Sequence, residues 1–217
     1  DQDLYLDPTS DVTMYGDLPA QDQDKKVLLP INNKIKLTPV ATAVDNTEFI
    51  KQEVNLAVDG SADINIRWTD YGSFNSVYKN LFQKYNNQQR VLILRQIINS
   101  VYPNAQIKEH KITGVEGLED IFAMNIAIKT DNYAQKMGNI LSFRPIRFAA
   151  SVNQLVGSET RTHPLYLGFN LNPAREILIT IPEGYIINYI PEEVEIDNEV
   201  GSLSVKYKKE KNKTNDT

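Results

Sequence analysis

Cysteine is missing from the 217 residues, and only two histidines, His110 and His163, are present. The first absence removes disulfides, thiolate nucleophiles, iron–sulfur clusters and cysteine zinc sites together. The second excludes a histidine-rich metal site. Basic residues are also in short supply. Against 28 Asp and Glu stand 23 Lys and Arg, and the net charge of −5 has the wrong sign for a nucleic-acid footprint. No apolar run approaches the ~18 residues of a membrane span, and no apolar segment of signal-peptide type opens the sequence. A mature or trimmed product of an exported protein fits that description as well as any other. No cofactor is implied by what remains.

What is present suffices for a core. Hydrophobic residues make up 41% of the chain and charged residues 24%, values of an ordinary globular domain. Residues 1–48 stand apart, with Pro8, Pro19, Pro30 and Pro39, many aspartates and only short apolar runs. They predict irregular chain with one or two short edge strands, wrapped over the following domain or trailing from a preceding one.

From Glu53 onward the periods become regular. Val54, Leu56 and Val58 alternate with polar neighbours, Asp59-Gly60 intervenes, and Ala62, Ile64, Ile66 and Trp68 alternate again. This predicts a hairpin with a type I′ turn at Asp59-Gly60. The period then changes. Phe74, Val77, Tyr78, Leu81, Phe82 and Tyr85 form one helical stripe, with Ser73 placed as N-cap. A second helix is predicted from about Gln88 to Tyr102, with Val91, Leu94, Ile97, Ile98 and Val101 inward and Pro103 as its stop. Strands are expected at 107–112 and 122–129 as an antiparallel pair, and then at 164–170, 176–181, 185–189 and 202–207, with Pro182-Glu183-Gly184 as a turn. Residues 131–163 fit neither period. The fold class read from this pattern is α+β, mainly antiparallel β: a β-sandwich-like two-layer sheet with an inserted helical hairpin. The expected division is 1–48, then a β-rich domain at 49–209, then a polar tail at 210–217.

Few residues could carry chemistry. Asp7, in LYLDPT, is either the start of an Asp-Pro-Thr turn or an aspartate that orients a catalytic imidazole. Glu192, Glu193, Glu195 and Asp197 could imitate a glycosidase carboxylate pair, but such clusters are more often the solvated guard of an edge strand. Asp1, Asp3, Asp7 and Asp11 lack the Gly-centred loop and the bidentate Glu of a calcium site. His163 reads as a packing residue at a strand entry. Trp68, with Tyr71 and Phe74, could form a glycan-stacking platform, though core use is commoner. Lysines from 206 to 213 read as a solvated tail.

The stretch LYLDPTSDVTMYGDLP resembles the end of a transglutaminase-like core, where the aspartate of an LDPT-type motif completes a Cys-His-Asp triad. VDGSADINIRWTDYG, the run RTHPLYLGFNLNPAREILITIPEGYIINYIPEEVEID and the closing GSLSVKYK resemble the C-terminal domain of unknown function of large exported Bacteroidetes proteins. In those proteins this domain follows the transglutaminase-like core. The likeness runs from about Asp3 to Tyr207. It implies that Asp7 matches the orienting aspartate, that the parent is periplasmic, cell-surface or secreted, and that the upstream core is the partner in the same chain. The Gly-x-Cys and His-x-Trp motifs of such a core do not occur here. His110 precedes Lys111, His163 precedes Pro164, and both follow Asp7. Asp7 therefore has nothing to orient within these residues. The expectation is a non-catalytic accessory domain that packs on the core and presents a surface to a substrate or partner. The alternatives are a carbohydrate- or peptide-binding module, and a fragment that supplies the triad aspartate to a cysteine peptidase or transglutaminase.

Overall fold

A computed structural model describes residues 4–31, 33–147 and 167–210. Asp1–Pro182 form one compact unit and Glu183–Thr217 a second.

In the first unit the alternation seen in the sequence becomes a mixed five-stranded sheet. Strands β1 (Lys26–Leu29) and β2 (Lys34–Leu37) make a separate hairpin. Next come β3 (Thr47–Leu56), β4 (Ala62–Asp70), α1 (Ser73–Gln83), α2 (Asn87–Val101), β5 (Gln106–Thr113) and β6 (Ala123–Thr130). A small β7–β8 hairpin (Gln135–Met137, Ile140–Ser142) and β9 (Asn172–Thr180) complete the unit. The sheet order is β5-β6-β4-β3-β9, antiparallel throughout except for the parallel β3–β9 pair. The α+β class holds, and the layer packed on this sheet is the helical pair.

One face of the sheet is apolar because β-branched residues fall in phase on paired strands. Val54 lies opposite Ile64, and Ile64 opposite Ile128. Ile66 lies opposite Ile126, and Trp68 opposite Met124. Phe82, Leu94 and Ile98 from the helices, with Tyr102 just after α2, close over this face. The opposite face carries Asn55, Asp63, Asn65, Arg67, Lys111 and Asn125, all exposed. A sheet with one dry and one wet face gives the alternation that made the strands legible.

The β3–β4 connection corrects the expected two-residue turn. The last paired residues are Leu56 and Ala62, so five residues intervene, closed by Ala57 N to Ser61 O at 2.8 Å. Only Gly60 of the Asp59-Gly60 pair has positive φ, at 93°. The loop is fixed from outside: Ala134 N donates to Gly60 O at 2.9 Å, and a Cβ on Gly60 would strike the Ala134 carbonyl.

The first helix departs from its expected cap, whereas the second begins within one residue of its expected start. Gly72 rather than Ser73 is the N-cap of α1, and the Asn46 side chain takes the Ser73 N–H at 2.8 Å. Asn86 caps α2 through a reciprocal capping box with Gln89. The buried side of α1 is Ser73, Asn75, Lys79 and Phe82, whereas Val77, Leu81 and Tyr85 are exposed. The inward face is thus rotated away from the apolar stripe. Lys79 is nearly fully buried and gives its ammonium to the Gly117 and Leu118 carbonyls at 2.7 and 3.2 Å. Burial pushes its pKa down.

β3 begins at Thr47, two residues before the expected boundary at 48/49. The expected strand at 107–112 is β5, that at 122–129 is β6, and that at 176–181 is the C-terminal part of a longer β9. No strand forms at 185–189 or 167–170, and 164–166 lie outside the described residues.

The second unit, taken by itself, holds the hairpin of β10 (Val194–Asn198) and β11 (Gly201–Val205). Val194 and Ile196 face Val205 and Leu203 on one side, and Glu195 and Asp197 face Ser204 and Ser202 on the other. Asn198 Oδ1 accepts from Val200 N and Gly201 N, which sets the turn. β11 corresponds to the expected strand at 202–207.

Candidate functional site

Period 2 carries polar residues onto the apolar face at one end of the first unit's sheet. Glu48 is in phase with Ile50, Asp70 with Trp68, and Arg175 with Ile177 and Ile179. Glu48 and Asp70 are direct partners in the β3–β4 register, and both are buried. Arg175, on β9, closes an ion pair with Glu48 Oε1. Tyr78, on α1, donates to Glu48 Oε2 at 3.2 Å. Trp68 Nε1 donates to Asp70 Oδ1 at 3.0 Å.

The electrostatics follow from burial. Desolvation pushes Asp70 up to about 7, against the Trp68 hydrogen bond, and the nearby Glu48 charge adds to the rise. Tyr78 is pushed well above the usual phenol range, mainly by burial and then by the two carboxylates. A tyrosine so held is a hydrogen-bond donor, not a base. Asp70 and Glu48 are a carboxylate pair, but neither presents a free oxygen to solvent-accessible space where a substrate could sit. The cluster's chemical capacity is to hold a proton near neutral pH and to fasten β9 to β3.

That fastening is measurable. Arg175→Met is expected to destabilise the first unit by about 2–3 kcal/mol, because Glu48 is left buried without its cation. The figure lies below the roughly 3–5 kcal/mol of a fully buried pair, since the Arg175 side chain keeps 27% of its exposure. Adding Glu48→Gln should recover much of the loss in urea unfolding. Additive losses would mean that the pair contributes no coupling.

Close to this end, a cleft of about 150 Å³ lies between residues 10–21 and the start of α1. Thr13, Asp17, Ser76, Asn80 and Phe169 contribute to its lining. Asp17 is raised above the ordinary carboxylate range, by burial first and by Asp45 second. Phe169 meets Phe74 edge-on, with centroids 5.2 Å apart.

The residues singled out from sequence fall elsewhere. Asp7 is partly exposed, and its Oδ1 accepts from Thr9 N at 2.9 Å and Thr9 Oγ1 at 2.7 Å, which holds its pKa down. Trp68 is a core residue at 8% exposure, so Trp68, Tyr71 and Phe74 do not form one exposed platform. His110 lies exposed on β5, and Asp11, Glu192, Glu193, Glu195 and Asp197 are exposed as well. Glu195 pairs with Lys206 at 2.9 Å. Asp1, Asp3 and His163 lie outside the described residues. Among the described residues no group of three metal-ligating side chains comes together, and no helix is long and apolar enough to cross a membrane.

A family model for a domain of unknown function, DUF3858, matches residues 138–215. No curated protein matches the chain, and no solved structure does. The matched stretch opens at the Gly138 turn of the β7–β8 hairpin and takes in β8 through β11. It therefore contains β9 but not β3, the strand that β9 pairs with over nine register positions. Arg175 comes from the DUF3858-like stretch, whereas Glu48, Asp70 and Tyr78 lie ahead of it. The matched stretch cannot complete this sheet alone.

Proposed function

We propose that this chain is a non-catalytic accessory domain of an exported transglutaminase-like protein. It packs on the catalytic core of the same parent polypeptide and presents a surface to that core's substrate or partner. The observation that carries the reading is Asp7 at the LDPT motif, whose Oδ1 is taken up by Thr9 N and Thr9 Oγ1 in a local turn. The sequence supplies no cysteine nucleophile for a Cys-His-Asp triad. The transglutaminase-like parent, its upstream core and its export rest on the resemblance of LYLDPTSDVTMYGDLP and the later runs. The wet face of the five-stranded sheet, with Arg67 and Lys111 beside Asn125, supports the presenting surface.

Two measurements test this together. The purified chain is expected to show no turnover above blank with casein or with amine donors. The polypeptide encoded upstream in the same gene is expected to bind it, and Arg67→Glu with Lys111→Glu, on the presenting face, is expected to leave that binding unchanged. Turnover by the isolated chain would overturn the non-catalytic reading. Failure of the upstream polypeptide to bind would overturn the packing.

A further inference from the structure

Around the turn from β4 into α1, three buried side-chain atoms have no protein partner: Asn46 Nδ2, Asp70 Oδ2 and Asn75 Nδ2. The three residues are at most 1% exposed. An unmatched buried polar atom costs about 1–3 kcal/mol, so three on residues tied to the same turn call for an explanation.

The chemical type of each atom is fixed by its neighbour. Asn46 Oδ1 accepts from Ser73 N at 2.8 Å, and Asn75 Oδ1 accepts from Phe122 N at 2.7 Å. Turning either amide over would set N–H against N–H, so both remaining atoms are donors. Asp70 Oδ1 already accepts from Trp68 Nε1, so where the carboxyl is ionised Oδ2 is left as an acceptor. The set is two donors and one acceptor.

Backbone contacts draw the three residues to one place. Asp70 N donates to Phe122 O at 3.2 Å, while Phe122 N goes to Asn75. Asp70 and Asn75 thus grip the same residue from its two backbone groups. Only Tyr71 and Gly72 separate Asp70 from Ser73, whose N–H Asn46 takes. Gly72, at φ 57°, has no Cβ to push Asn46 away; one added there would press on Asn46 Oδ1.

We propose that Asn46, Asp70 and Asn75 bind one internal water molecule, which accepts from the two amides and donates to Asp70 Oδ2. A water offers two lone pairs and two hydrogens, and buried waters make about three hydrogen bonds. A metal cation does not fit, because two N–H groups would point their hydrogens at it. An anion does not fit beside Asp70 and its register partner Glu48. The water joins the approach to β3, the end of β4 and the first turn of α1.

The rival arrangement is direct pairing of an amide with Asp70 Oδ2. A crystal structure of the full chain at high resolution, with water–amide NOEs recorded at the Asn46 and Asn75 side chains, separates the two, both taken above pH 7 so that Asp70 is ionised. The expected result is one density feature about 2.7–3.2 Å from all three atoms, with NOEs from a long-lived water at both amides. Asp70→Asn replaces the acceptor by a third donor and is expected to abolish those NOEs while both backbone caps persist. Direct amide–carboxylate contact without intervening density would overturn the proposal, and so would wild-type amides that show no water NOE. The wild-type measurements decide even if Asp70→Asn does not fold.

Discussion

Phe82→Ala is expected to cost the first unit about 3–5 kcal/mol, the usual penalty for emptying a buried aromatic site. Phe82 has no exposed surface and lies 5.2 Å from the Phe122 ring, which in turn stacks on Tyr78 at 5.6 Å. Removing the ring leaves a cavity between α1 and the segment leading into β6. That segment cannot collapse freely into it, because Asn75 and Lys79 already hold its backbone. Val77→Ala makes the contrast. Both residues belong to the apolar stripe read from sequence, yet Val77 is 51% exposed and its truncation should change stability by less than about 0.5 kcal/mol. Urea unfolding of the two variants checks the rotation of α1. Equal losses would mean that the inward face follows the stripe after all.

The rotation also marks where sequence reading stopped. A period of 3.6 identified α1, but hydrophobicity alone cannot rank Asn75 and Lys79 as inward residues. They are inward because the β5–β6 connection supplies a bare N–H at Phe122 and bare carbonyls at Gly117 and Leu118. Those partners lie 38 to 47 positions away. The sheet behaved differently. Alternation is local, so it places Val54 and Ile64 on the inward face without knowledge of their neighbours. Glu48, Asp70 and Arg175 carried the same signal: each is two residues from an apolar core position. Extending the phase of β3, β4 and β9 by one more step would have found the buried polar end. The parallel docking of β9 on β3 was beyond reach, because nothing local encodes a pairing between Lys51 and Glu176 across 125 positions. At Asp7 the resemblance implies an orienting aspartate, and the geometry is that of a turn, with Thr9 N and Oγ1 on Oδ1.

Stability of the first unit is expected to fall as pH rises from about 4 to 7, and Asp70 is the cause. Its carboxyl is raised from 3.8 to about 7 in the fold by burial and by Glu48, so the native state binds this proton more tightly than the unfolded chain does. The contribution is then complete below about 4, declines through the interval, and is gone above the folded value. A rise of this size corresponds to roughly 4 kcal/mol at most, since one pKa unit is about 1.4 kcal/mol. Asp7, Asp45 and Asp59 act with the opposite sign, because local hydrogen bonds hold them below the ordinary value. Their loss on protonation occurs below about pH 4, so the windows do not overlap. Asp17 is raised as Asp70 is and adds in the same direction. A water donating to Asp70 Oδ2 would favour the ionised carboxylate and narrow the window from above. Urea midpoints taken from pH 4 to 9 should therefore decline in the native protein and stay nearly level in Asp70→Asn, apart from a residual slope that Asp17→Asn removes. Parallel curves for the native protein and Asp70→Asn would mean that Asp70 titrates in the fold as it does in the unfolded chain, with its burial offset by stronger hydrogen bonding than Trp68 alone provides.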